Sequence, residues 1–123
     1  MRASILVVDD DEAIREGLET LLVDEGYEVH SAENGQVALE LLRSGKRPSL
    51  VLLDLMMPVM DGREFCAMCA LDAELAAIPI ILFTAGSITP EIAALPVNEK
   101  LRKPADIDVL LETVRRNAIG KLA

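Results

Sequence analysis

The sequence predicts an α/β fold with a five-stranded parallel sheet, on three observations. Residues 5–8, 50–53 and 78–83 are nearly continuous apolar runs of strand length, the pattern of strands covered on both faces. Two further short segments differ from these: residues 27–32 alternate apolar and polar, and residues 99–102 are mostly charged, which suits the two edges of a sheet. Helical patterns with their own start and stop signals separate all five segments.

The first strand, residues 5–8, runs into Asp9-Asp10-Asp11, after which Ile14, Leu18, Leu21 and Leu22 repeat at helical spacing. Asp11 has the chemistry of an N-cap and Gly26 that of a helix stop. The third acid of the run is therefore read as a cap rather than as a metal ligand. Residues 27–32 form the second strand, and Val37, Ala38, Leu41 and Leu42 give a second helix between Asn34 and Gly45. The third strand, residues 50–53, ends at Asp54. Phe65, Met68 and Cys69 mark a third helix after Asp61-Gly62. The fourth strand, residues 78–83, ends at Thr84, and Thr89-Pro90 starts a fourth helix with Pro at its first position. Pro96 lies only six residues beyond Pro90 and curtails that helix. After the charged fifth strand and Lys103, Ile107, Leu110, Leu111 and Val114 give the fifth helix. Strand and helix thus alternate five times, and right-handed crossovers put helices on both faces of the sheet. With the second and fifth strands at the edges, the expected architecture is a flavodoxin-like three-layer sandwich with strand order 2-1-3-4-5 and five helices.

The chain has 123 residues, room for one domain over residues 1–123 with a real core. No Pro/Gly/Ser linker or internal repeat divides it. About half the residues are hydrophobic and about a quarter charged, and no apolar stretch reaches membrane-spanning length, so a soluble, cytoplasmic protein is expected. The N-terminal apolar run breaks at three aspartates, unlike a secretory signal. A formal net charge of −9 argues against direct nucleic-acid binding, which needs clustered Lys and Arg. Cys66 and Cys69 have C-x-x-C spacing, yet there is no second pair to complete four zinc ligands, and the pair falls mid-helix. They are read as free thiols in a reducing compartment, and His30 as structural.

In an open α/β sheet the crevice forms beyond the carboxyl ends of the strands. There the central strands deliver Asp9 and Asp10, Asp54, and Thr84, while the fifth delivers Lys103. Carboxylates within about 4 Å repel by several kcal/mol at an effective dielectric near 20, so the cluster calls for a cation. Oxygen-only ligands favour Mg²⁺, which would also neutralise an incoming phosphoryl group and leave one carboxylate free to attack phosphorus.

The segment Ile5-Leu6-Val7-Val8-Asp9-Asp10, the segment Leu53-Asp54-Leu55-Met56-Met57-Pro58 with Asp61-Gly62, the pair Thr84-Ala85 and the pair Lys103-Pro104 together resemble the receiver domain of two-component signalling. The resemblance covers essentially the whole chain. It implies that Asp54 accepts a phosphoryl group from a phosphohistidine on a histidine kinase or phosphotransfer protein. Asp10 would be the principal metal-binding carboxylate, with Asp9 beside it and the backbone carbonyl of Met56 as a further ligand. Thr84 would hydrogen-bond a phosphoryl oxygen, and Lys103 would pair with Asp54 before phosphorylation and with the phosphate after it. The Lys103-Pro104 bond is similar to the family's cis peptide. Such a domain catalyses only its own phosphorylation and dephosphorylation, and exists as a monomer or a phosphorylation-dependent dimer.

Two departures stand out. The family's inward-turning aromatic, three positions before the lysine, is here Lys100, and no aromatic residue follows Thr84. A lysine cannot bury itself as a ring does. The curtailed fourth helix alters the same face, the family's frequent output and dimer surface. Met56 and Gly86 offer no side-chain acid or amide to orient water, which implies a phosphoryl group that is not lost unusually fast. The sequence also admits two other readings. A degenerate receiver would serve only as a protein-binding module. A haloacid-dehalogenase-like phosphatase would need an acid where Met56 stands. Whether the chain is a stand-alone regulator or part of a longer protein is left open by the sequence.

Overall fold

A computed structural model describes residues 3–122, with side chains through Ala118. Five parallel strands form one sheet in the order β2-β1-β3-β4-β5: β1 (Ser4–Val8), β2 (Glu28–Ala32), β3 (Leu50–Leu53), β4 (Ile80–Thr84) and β5 (Glu99–Arg102). The expected order and parallel pairing are both found. The central strands β1, β3 and β4 are almost wholly buried, while β2 and β5 are half-buried, as their mixed composition predicts.

Alternation along the strands divides the core into two layers. Ile5, Val7, Leu50, Leu52, Ile81 and Phe83 face α1 (Glu12–Asp24) and α6 (Ile107–Leu122), where Leu18, Leu22, Leu110 and Val114 meet them. Leu6, Val8, Val51, Leu53, Ile80 and Leu82 face the other way, toward α2 (Gly35–Arg43), α3 (Gly62–Ala70), α4 (Ala73–Ala76) and α5 (Pro90–Ala93).

The helix starts are where the sequence put them. Asp11 accepts a hydrogen bond from the Ile14 amide, Asn34 from that of Val37, and Thr89 from that of Ile92. Asp61 and Glu64 form a reciprocal capping box at α3. Gly26 and Gly45, with φ of 95° and 107°, make the left-handed turns that follow α1 and α2.

Two details differ from expectation. Among the described residues there are six helices rather than five, because Asp72 caps the amides of Glu74 and Leu75 and starts a separate turn after α3. That turn buries Leu75 in the core beside Cys69. Ile78 closes it by donating to the Leu75 carbonyl, so β4 begins at Ile80 instead of residue 78. The fourth expected helix is the single turn α5, which ends at Ala93 ahead of Leu95-Pro96; a residue before proline is pushed out of the helical region.

Candidate functional site

The carboxyl ends of four strands open into one cleft of about 220 Å³, lined by Asp9, Asp10, Asp54, Thr84 and Lys103 with Met56 beside them. The structure therefore brings together every site residue expected from the sequence. Asp9 and Asp54 are 2% and 7% exposed, whereas Asp10 is open to solvent. One carboxylate oxygen from each of the three lies within 4.8 Å of the others. Two charges at that separation repel by about 3–4 kcal/mol at an effective dielectric near 20.

Lys103 offsets part of this repulsion, forming the ion pair with Asp54 that the resemblance implied and a closer one with Asp9. Its ammonium donates to Asp9 Oδ2 at 2.6 Å and stands 3.7 Å from Asp54 Oδ1, so Asp9 is the tighter partner. The reason lies in the turn after β1. Asp9 Oδ1 accepts the Asp11 amide at 2.9 Å, which fixes this carboxylate and leaves Oδ2 for the lysine. Arg15, one turn into α1, donates to the Asp9 backbone carbonyl at 2.8 Å and ties the same turn from the other side.

Burial pushes the Asp54 carboxyl up to about 6, from an ordinary value of 3.8. Lys103 opposes that rise, Asp9 and Asp10 add to it, and the Met56 backbone amide again favours the charged form. Thr84 is buried at the end of β4, where its Oγ1 faces the Gly86 amide at 3.5 Å. The Lys103–Pro104 peptide is cis.

Asp61-Gly62 matters because of backbone proximity. A Cβ on Gly62 would stand 2.8 Å from the Asp54 carbonyl oxygen and 2.9 Å from Leu55 Cα, closer than real side chains come. Only glycine lets the start of α3 lie against the strand end that carries Asp54. Cys66 and Cys69, by contrast, are free, buried thiols on the inner face of α3, pushed up to about 11 chiefly by burial. Thiols held so firmly protonated are poor nucleophiles and poor metal ligands.

Three features escaped sequence reasoning: the Lys103–Asp9 contact, the Arg15 anchor, and Phe83, whose ring centroid lies 5.4 Å from the Lys103 ammonium. A hint existed for Phe83, the one aromatic adjacent to a site residue in sequence. The donor set of three carboxylates, all oxygen and undercompensated by Lys103, fits a hard divalent cation.

Comparison with known proteins agrees with this geometry. The family model described as response regulator receiver domain matches residues 5–115. Response regulator MprA of Mycolicibacterium vanbaalenii is 40% identical over 118 residues, covering 94% of this chain and 50% of that protein. The chain spans about half the length of the curated relatives it matches. Chemotaxis protein CheY4 of Vibrio cholerae superposes with a TM-score of 0.85 at 32% identity, covering 94% of this chain and 98% of that one. A response regulator receiver protein from Pseudomonas putida gives 0.86 at 31% identity, covering 94% and 98%. In sequence, topology and the composition of its cleft alike, the chain belongs to the response regulator receiver domain family.

Proposed function

We propose that this domain is a phosphorylation-dependent switch which takes a phosphoryl group onto Asp54 from a phosphohistidine on a histidine kinase or phosphotransfer protein, with Mg²⁺ bound beside it. The observation that carries this reading is the position of Asp54: a buried carboxylate at the end of a central strand, facing a cleft that also holds Asp9, Asp10, Thr84 and Lys103.

An Asp54 carboxylate oxygen attacks phosphorus as the phosphorus–nitrogen bond of the donor breaks, its electron pair returning to the imidazole. Asp54 has to be ionised to attack, and burial makes that form costly until the cluster is neutralised. Asp9, Asp10, Asp54 and the Met56 carbonyl would hold Mg²⁺, which when bound supplies charge neutralisation at the cluster and at the transferred group. The Lys103 ammonium, already 3.7 Å from Asp54, follows the new negative charge. A flexible point charge suits that role. The Thr84 hydroxyl rotates to donate to a phosphoryl oxygen. Neither Met56 nor Gly86 brings a side-chain acid or amide to orient an attacking water, which favours a phosphoryl group of ordinary lifetime. The chemistry is confined to the domain's own phosphorylation and dephosphorylation, and the free buried thiols suit a cytoplasmic setting.

Incubation with acetyl phosphate and Mg²⁺ followed by intact-mass measurement tests the reading. Wild type is expected to gain one phosphoryl group and Asp54→Asn none. An unchanged wild-type mass would instead favour a module that only binds proteins, the reading to which Lys100 and the one-turn α5 lend some support.

A further inference from the structure

Lys100 and Phe83 lie on opposite sides of the sheet. Lys100 pairs in register with Leu82 and Leu101 with Phe83, and side chains alternate along each strand. Leu82 belongs to the core layer under α2 to α5, whereas Phe83 and Leu101 pack in the layer under α1 and α6. The side on which the family places its aromatic therefore carries a lysine, and the opposite side carries a ring next to the site.

That ring has a defined partner. The Lys103 ammonium is held by Asp9 at 2.6 Å, by Asp54 at 3.7 Å and by the face of Phe83 at 5.4 Å from its centroid, with only 13% of the side chain exposed. A cation removed from water gains from an aromatic face within about 6 Å. Phe83 and Lys103 also form one wall of an apolar cleft of about 530 Å³ between α1 and α6, which Ile14, Leu18, Ala105 and Leu110 complete. A single lysine thus borders the acidic cluster at its tip and this cleft along its stem.

We propose that Phe83 is a positioning residue for the phosphorylation site: it holds the Lys103 ammonium between Asp9 and Asp54 and passes the state of Asp54 to the cleft between α1 and α6. The proposal rests on the reading of Asp54 as phosphoacceptor. When Asp54 gains a phosphoryl group, the ammonium moves toward it and away from Asp9, and its position over the ring changes. The ring is packed against α1 and α6, so that change reaches the cleft through direct contact.

Proton NMR of the unphosphorylated protein tests the contact by itself. The ε-methylene protons of Lys103 are expected upfield of those of the other lysines, shifted by the ring, with the effect lost in Phe83→Leu and kept in Phe83→Tyr. Phosphorylation by acetyl phosphate, followed by intact mass, is expected to slow about 2- to 30-fold in Phe83→Leu, the equivalent of a cation–π contact, and to recover in Phe83→Tyr. A beryllofluoride phosphoryl mimic is expected to shift the amides of Leu18, Ala105 and Leu110 in wild type and much less in the leucine variant. Unshifted Lys103 protons in wild type, wild-type phosphorylation rates in a folded Phe83→Leu, or mimic-induced shifts confined to residues 86–100 would each overturn the proposal. A wild type that gains no phosphoryl mass would instead overturn the phosphoacceptor reading beneath it, an outcome the mass measurement identifies separately.

Discussion

The two faces of the sheet cover the same strands with different materials. On one face α1 and α6, of 13 and 16 residues, cover a layer in which Leu22 and Val114 are fully buried. On the other face, near the carboxyl end of β4 and β5, cover shrinks to the four-residue turn α5, anchored by Ile92 and bounded by prolines. A receiver that responded by rearranging its α5 and β5 surface would need an aromatic there to bury, and β5 offers Lys100 in its place. The face covered by the two long helices, not the sparse one, carries the ring that touches the site. Long helices resist local opening, but they transmit a displacement over a wider surface than a single turn does.

The contrast can be broken most severely by core truncation. Leu22→Ala is expected to cost about 3–4 kcal/mol, because it leaves a cavity in the fully buried layer where α1 packs on β1 and β2. Ile92→Ala is expected to cost about half as much, since a one-turn helix relaxes around the loss or opens locally. Urea unfolding of both variants measures the ratio. Equal costs would show α5 to be as firmly bound into the fold as α1.

A smaller effect comes from the strand end between the faces. The Asp54 carboxyl binds a proton more readily folded than unfolded, about 6 against 3.8, so in metal-free protein its contribution to stability falls as pH rises from about 4 to 6 and stays lost above that. Asp54→Asn removes that cost. The variant is expected to be more stable than wild type by about 1–2 kcal/mol at pH 7.5 in EDTA, with no advantage at pH 4. Urea midpoints at the two pH values check this, and the advantage should shrink when Mg²⁺ is added.

The smallest expected change sharpens the comparison on the sparse side. Lys100→Tyr restores an aromatic to β5 and is expected to alter stability by less than about 0.5 kcal/mol. Its effect should appear instead in NMR, as larger shifts over residues 86–100 when beryllofluoride is added. No change there would mean that α5 is too short to use a ring even when one is supplied.

Much of this was legible in the chain. Apolar runs at residues 5–8 and 50–53 announced buried parallel strands, and the strand order brought Asp9, Asp10, Asp54, Thr84 and Lys103 to one end of the sheet before any pairing was seen. Pro90 and Pro96 revealed the short α5, because proline acts locally on the backbone. The helix α4 was missed because its four residues are too few to show a period, and only the Asp72 cap marks it. The preference of Lys103 for Asp9 was invisible for another reason. It depends on which Asp9 oxygen the Asp11 amide already occupies, a choice made by a turn and not by residue type. Phe83 escaped similarly, since periodicity gives the face on which a ring lies but not the charge that rests against it.

The two buried cysteines give α3 a built-in clock. Cys66 and Cys69 are buried at the edge of a cleft of about 130 Å³ and pushed up to about 11, so thiol reagents react with them slowly, and faster whenever α3 lifts from the sheet. Labelling kinetics therefore track those excursions. Because Gly62 begins α3 against the backbone of Asp54, the same kinetics register how firmly the strand end that carries Asp54 is clamped.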